Sequence, residues 1–409
     1  MHELISQLSA FGTASQVTLP LIQHPLNHTT TLLAAQYGTT FNVEVTIADQ
    51  TFQLLVDTGS SDTYVVRNDF VCINETTNQE ISQAACGYAP HAYNESSTYR
   101  LIPNQTFGVQ YGNGVACGVM AREDITLAGI TVPGQAIGIA DRSHPMGDGI
   151  NSGVLGLAYP SLTSAHPRNH TDNTTFWFDR ETYRPVFNTM YEQGLVAEPY
   201  FSIALAHSPH NLTAAPATTF GGYLTLGDYP PVAHNATFAN VPVEILNNIP
   251  PSFTSGKRTR SYWAFTVSAV TWGKPEADDF PLITNATAFQ ALTDTGNDFS
   301  FLPMAVVDSI NALFDPPAVY SEALGYYLVD CDAQAPVFGV EIGGQTFYHE
   351  GRDLIYRTEE GYCVSSLAAS EDVAYEGIVL NILGVPFLKN VVSAYDFGKN
   401  ELRFAQRLD

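Results

Sequence analysis

The sequence predicts an all-β protein of two related lobes, and three observations carry that prediction. Short segments that alternate apolar with polar, or that are β-branched and aromatic, run from about residue 35 to the C-terminus between Gly, Pro, Asn and Asp. An apolar run closed by Asp-Thr-Gly occurs twice, at 57–59 and 294–296. Each copy is followed, roughly ninety to a hundred residues later, by an apolar-apolar-Gly triplet, in GVLGLAYP (153–160) and NILGVPF (381–387). Two related lobes explain this echo more economically than coincidence. The expected organisation is an N-terminal extension or pro-region remnant at 1–34, one lobe over 35–200 and a second over 201–409.

Taken in order, the strands are expected at FNVEVTI (41–47), FQLLV (52–56), DTYVV (62–66), FSIAL (201–205), YLTLG (223–227), YWAFTV (262–267) and FGVEIGGQTFY (338–348). Two stretches read as short helices. RPVFNTMYEQG (184–194) is closed by Gly194, and MAVVDSINALF (304–314) continues a helical spacing of Leu302, Val306, Ile310 and Leu313. Segments 161–183, 206–221 and 245–261 read as exposed loops, the last carrying the basic cluster KRTR (257–260) as a solvated stretch.

Composition narrows the function. The 409 residues suffice for two or three globular units, and 45% of them are hydrophobic. Against 41 acidic side chains stand 17 basic ones, a formal charge of −24, which makes nucleic acid and anionic membranes poor partners. No apolar run is long enough to span a bilayer. Lysine is scarce, with only Lys257, Lys274, Lys389 and Lys399, so in acid the chain accumulates less positive self-repulsion than an average one. That composition suits acidic surroundings. Nine N-x-S/T sequons, at Asn27, Asn74, Asn94, Asn104, Asn169, Asn173, Asn211, Asn235 and Asn285, favour a secretory route, although the opening MHELISQLSAFGTASQ shows no signal peptide. The expected location is extracellular, with a vacuole as the alternative.

The chemistry rests on the repeated triplet. A single Asp-Thr-Gly after a strand is usually a turn, in which Asp accepts backbone N–H bonds and Gly takes a positive φ. Two copies in duplicated context are not explained by turns alone. Two carboxylates facing one water cannot both ionise cheaply, so they share a proton and titrate as a pair. Such a pair holds a base and an acid side by side in mildly acidic water. The two Asp-Thr-Gly segments, the Tyr-Gly-x-Gly hairpin YGNG (111–114), the GVLGLAYP stretch and the closing ILG together resemble the pepsin-like aspartic proteases. The similarity runs from about residue 35 to the C-terminus, and the sequon-rich loops and the FVC…AAC segment are most similar to secreted fungal members.

The resemblance implies a bilobal fold of two β-barrel-like lobes with an interlobe cleft, and hydrolysis of peptide bonds in proteins at acidic pH. Asp57 and Asp294 become the dyad. Thr58 and Thr295 cross-bond to the opposite lobe, Gly59 and Gly296 bring backbone N–H groups to the carboxylates, and Ser60 donates its hydroxyl to Asp57. Tyr111, Gly112, Asn113 and Gly114 correspond to a mobile hairpin that closes over a bound peptide. Polypeptides are the implied partners of a monomer that needs no cofactor and no metal. Cys331–Cys363 matches the disulfide expected in the second lobe, Cys72–Cys86 resembles the one after the first motif, and Cys117 is left over, as a packed thiol or as a rival partner for Cys72 or Cys86.

Four departures alter these expectations. Where the family has Thr or Ser after the second Gly, this chain has Asn297, whose amide is expected to donate to Asp294. Asp298 follows it and, if pointed inward, would raise the pKa values of the dyad. Tyr64 stands where the family usually carries Trp, with its hydroxyl expected to reach Tyr111. No Lys or Arg precedes Arg67, so residues 1–34 do not inhibit through a lysine on the dyad. A catalytically weak or silent relative that binds a polypeptide or carbohydrate in the cleft remains the alternative, with a retaining glycosidase behind it.

Overall fold

The structure is a computed structural model and describes residues 28–112, 114–167, 179–212, 217–275, 282–374 and 377–409. Among these, strands dominate, and fifteen of them join into one extended sheet. Along part of it the strands Thr29–Ala35, Thr219–Leu226, Tyr200–Leu205, Val391–Asp396, Glu401–Gln406 and Ala239–Pro242 lie side by side, every neighbouring pair antiparallel. This section draws strands from both ends of the chain. Leu32 faces Gly222 and Ile203 faces Ser393 across it. The strand Thr29–Ala35 thus builds most of the described part of the segment expected to be an extension into the fold; residues 1–27 lie outside the described set.

The two halves are also fastened through the core. Trp263, fully buried, donates its indole N–H to the Leu157 carbonyl at 3.0 Å and packs its ring 4.7 Å from that of Tyr159. Phe201, Tyr395 and Phe397 meet it edge-on, so one aromatic cluster unites residues more than 200 apart in sequence. Aromatic pairs add to their area burial about 0.5–1.5 kcal/mol each.

Local patterning explains where the elements begin and end. The helices form at Val186–Glu192 and Met304–Asn311, each entered through a proline that fixes φ for the first turn. A third, Val385–Leu388, follows the ILG triplet and is too short to show helical periodicity in sequence. The stretch 338–348, expected as one strand, is two: Val337–Ile342 turns at Gly343 and Gly344 into Gln345–Tyr348. Both glycines have positive φ, the requirement of a two-residue hairpin turn. The expected loop at 161–183 contains a strand, Ala165–Pro167, that pairs with the edge of the large sheet; residues 168–178 lie outside the described set. The basic cluster at 257–260 is tied down, with Arg258 donating to the Asn247 carbonyl and Arg260 to that of Val243, both at 2.9 Å.

Disulfides join Cys72 to Cys86 and Cys331 to Cys363. Cys117 is a free thiol whose pKa burial raises to about 11, which keeps it a thiol rather than a thiolate. No helix among the described residues is long and apolar enough to cross a membrane.

Candidate active site

The repeated sequence motif becomes a repeated backbone arrangement. Strand Gln50–Asp57 ends at Asp57 and runs parallel to Gly153–Gly156, which also pairs antiparallel with Thr63–Ile73 on its other side. In the second half Phe289–Thr293 runs parallel to Asn381–Leu383, and Phe301 of Ser300–Leu302 pairs antiparallel with Ile382. Each apolar-apolar-Gly triplet is thus a strand wedged between the two arms of a loop that carries an aspartate at its tip.

The tips meet. Thr58 N–H donates to Thr295 Oγ1 and Thr295 N–H to Thr58 Oγ1, both at 3.0 Å. Each hydroxyl in turn donates across the junction, Thr58 to the Thr293 carbonyl at 3.3 Å and Thr295 to that of Val56 at 2.7 Å. Both threonines are fully buried, so every one of these bonds acts in a low dielectric, where an unmade partner costs about 1–3 kcal/mol. This crossed lattice fixes one tip against the other.

It leaves the carboxyl groups in contact. Gly59 N–H donates to Asp57 Oδ1 at 2.7 Å, the Ser60 hydroxyl donates to Asp57 Oδ2, and Gly296 N–H donates to Asp294 Oδ1 at 2.9 Å. Asp57 and Asp294 lie close enough for the charge of one to act on the other. Glycine is required at both tips by close approach: a Cβ on Gly59 would run into the Asp294 carboxyl group, and one on Gly296 would lie 2.8 Å from Asp57 Oδ1. Burial raises the pKa of Asp57, opposed by the donors Ser60 and Gly59. Asp294 is pushed well above the carboxylate range, by burial first and then by the charge of Asp57. The Ser60 and Gly59 donors favour the anion at Asp57, and the neighbouring charge disfavours it at Asp294.

Three sequence expectations are corrected here. Asn297 does not donate to Asp294; its Oδ1 accepts from Phe299 N–H at 3.2 Å, closing a local Asx turn instead. Asp298 faces Lys389, Tyr326 and Tyr356, and the leading influences on Asp294 are burial and Asp57. Its own pKa is raised to about 6 by burial, with the charge of Lys389 opposing. Tyr64 reaches Tyr88 rather than Tyr111, O to O at 3.3 Å, and Tyr88 continues to Ser143 Oγ at 2.9 Å.

The hairpin of Arg100–Gln110 and Val115–Leu127 brings the YGNG turn over the site, Gln110 facing Val115 and Tyr111 N–H bonding the Gly114 carbonyl at 2.9 Å. Asn113 lies outside the described residues. The Tyr111 hydroxyl is buried beside Ser60 and near Asp57 and Asp62, and burial followed by those carboxylates holds its pKa well above the phenol value. Sequence reasoning missed Asp62, Tyr88 and Tyr183. Asp62 Oδ1 accepts from Ser164 N–H at 2.8 Å and from the Tyr183 hydroxyl at 2.7 Å, with Arg180 close by in charge. The position of Asp62, five residues past Asp57, was a signal; the two tyrosines arrive from distant loops and leave none.

Paired strands, crossed threonines and two neighbouring carboxyls at the loop tips define an aspartic-type endopeptidase of the two-lobed kind. The family model described as eukaryotic aspartyl protease matches residues 36–407, and the chain belongs to that family. It is 38% identical, over 91% of its length and 80% of the relative's, to a probable aspartic-type endopeptidase of Aspergillus fumigatus. Rhizopuspepsin of Rhizopus chinensis is 25% identical over 87% of this chain and 74% of its own. Among solved structures, the aspartic proteinase of Irpex lacteus superposes with a TM-score of 0.67 at 20% identity, covering 93% of this chain and 97% of that one.

Proposed function

We propose that this protein hydrolyses peptide bonds in polypeptides at acidic pH, using a water activated between Asp57 and Asp294. The observation that carries the reading is the unequal pair: two neighbouring carboxyls, one held toward the anion by Ser60 and Gly59, the other pushed toward the acid by burial and by its neighbour. Asp57 takes a proton from the water as its oxygen attacks the amide carbon, and Asp294 gives its proton to the amide oxygen. The resulting diol collapses when the proton on Asp57 passes to the leaving nitrogen, and return of a proton from the diol to Asp294 restores the pair. No covalent intermediate forms. Both aspartates come from one chain, so a single copy suffices, with the cleft between a half ending near residue 200 and the half that follows.

The hairpin bearing Tyr111 supports this reading, because a turn lying over the carboxyls excludes water once a peptide lies beneath it. A secretory destination, outside the cell or in a vacuole, is supported by the sequons. Asn94, Asn104, Asn211 and Asn235 are exposed and Asn74 and Asn285 half-buried, whereas Asn27, Asn169 and Asn173 lie outside the described residues. The test is digestion of unfolded globin across about pH 2.5 to 6 with and without a statine-type inhibitor. Inhibitor-sensitive cleavage is expected; its absence at every pH favours a cleft that only binds.

A further inference from the structure

The loop that carries Asp294 continues into the wall of a second feature. Asp298 and Phe299 open onto a cavity of about 270 Å³, whose far side is the segment 358–364. Three acidic side chains line it, Asp298, which burial holds toward its neutral form, and the exposed Glu359 and Glu360, and among the described residues no Lys, Arg or His does. Its sides are aromatic. Phe299 stacks on Tyr326 at 4.8 Å with the rings almost parallel, and Tyr362 adds a further face. Gln36 crosses from the first half to donate to Glu359 Oε1 at 3.3 Å.

Proximity to the dyad follows from chain length. Asp298 lies four steps along the chain from Asp294, which at about 3.5 Å each is at most about 14 Å of backbone. An extended peptide rises about 3.3 Å per residue, so a side chain entering this cavity belongs to a position within about four residues of the cut.

We propose that this cavity is a substrate pocket that selects lysine or arginine at one position near the scissile bond, a specificity that rests on the endopeptidase reading above. The aliphatic stem of such a side chain packs along the rings while its charge meets carboxylates and aromatic faces. An apolar side chain of equal length would desolvate the carboxylates without pairing them, and an acidic one would be repelled. Any long-range attraction from the chain's excess of acidic residues acts on cationic peptides wherever their charge lies, so the mark of the pocket is a preference confined to one position.

The test uses the full chain and a set of quenched peptides with one fixed cleavage bond, in which Lys, norleucine or Glu is placed in turn at each of four positions on either side. At one position Lys is expected to exceed norleucine in kcat/KM by about tenfold, and Glu to fall below both. The double variant Glu359→Gln/Glu360→Gln should bring the Lys-to-norleucine ratio at that position to about one, and Glu359→Lys/Glu360→Lys should reverse the order of Lys and Glu. Equal rates for Lys and norleucine at all positions, or a preference that survives both variants, overturns the pocket while leaving the endopeptidase reading intact. If no peptide in the set is cut in an inhibitor-sensitive way, it is that reading which fails.

Discussion

The two aspartate loops share Asp-Thr-Gly, the same strand pairings and the same crossed threonine bonds, yet they hold their carboxyls differently. In the first, the residue after Gly is Ser60, whose hydroxyl reaches Asp57 Oδ2; in the second it is Asn297, whose side chain turns away to Phe299. The next residue differs too: Ser61 donates to the Tyr159 carbonyl at 2.6 Å, whereas Asp298 is a half-buried acid near Lys389. One hydroxyl more on one side is enough to bias a shared proton toward the other. Near-symmetry supplies the contact, and the small asymmetry divides the roles.

The comparison can be broken most severely at the aspartates. Asp57→Asn and Asp294→Asn should each lower kcat by about ten-thousand-fold or more with the circular-dichroism spectrum unchanged, and near-full turnover in either would end the assignment. Next comes the lattice: Thr295→Val removes the acceptor of Thr58 N–H and the donor to Val56, and should lower stability by about 2–3 kcal/mol in urea titrations. A loss within experimental error would show that the crossed bonds are replaceable.

Asp298 sharpens the contrast through pH. Its folded pKa of about 6 lies above the unfolded 3.8, so the folded chain binds the extra proton between those values and stability from this group falls as pH rises through the window. Asp298→Asn should therefore stabilise by about 2 kcal/mol at pH 7, with the gain gone by about pH 4. A gain independent of pH would show that the carboxyl is not the cause. The smallest effects restore or remove the hydroxyl. Asn297→Ser offers Asp294 a donor, which favours its anion and should move the alkaline limb of kcat/KM down by up to about one pH unit. Ser60→Ala does the converse to Asp57, raising its pKa and moving the acid limb up. Profiles that do not move in these directions would mean the hydroxyls do not set the proton's place.

Much of the site was legible because its parts are local. A dyad loop needs Asp to accept neighbouring N–H bonds, Gly to admit the facing carboxyl and Thr to bond across, and each demand falls on consecutive residues. The paired strands were legible through duplication. What sequence reasoning placed wrongly were side chains with more than one available partner. Asn297 had Asp294 and the Phe299 amide within reach, and Tyr64 had Tyr111 and Tyr88; spacing cannot rank such choices. The double-glycine turn at 343–344 was a local signal overlooked inside an apolar run.

By itself the sequence determined the strand-rich class, the two acids and the glycines around them, because periodicity and backbone sterics act over a few residues. Tertiary structure alone decided how far burial and a neighbouring charge push Asp294 up, that Asp298 lines a different cavity, and that the segment at 29–35 joins a sheet with strands almost two hundred residues away. Those outcomes depend on burial and on charge at short range between groups distant in the chain, and neither is set until the chain has packed.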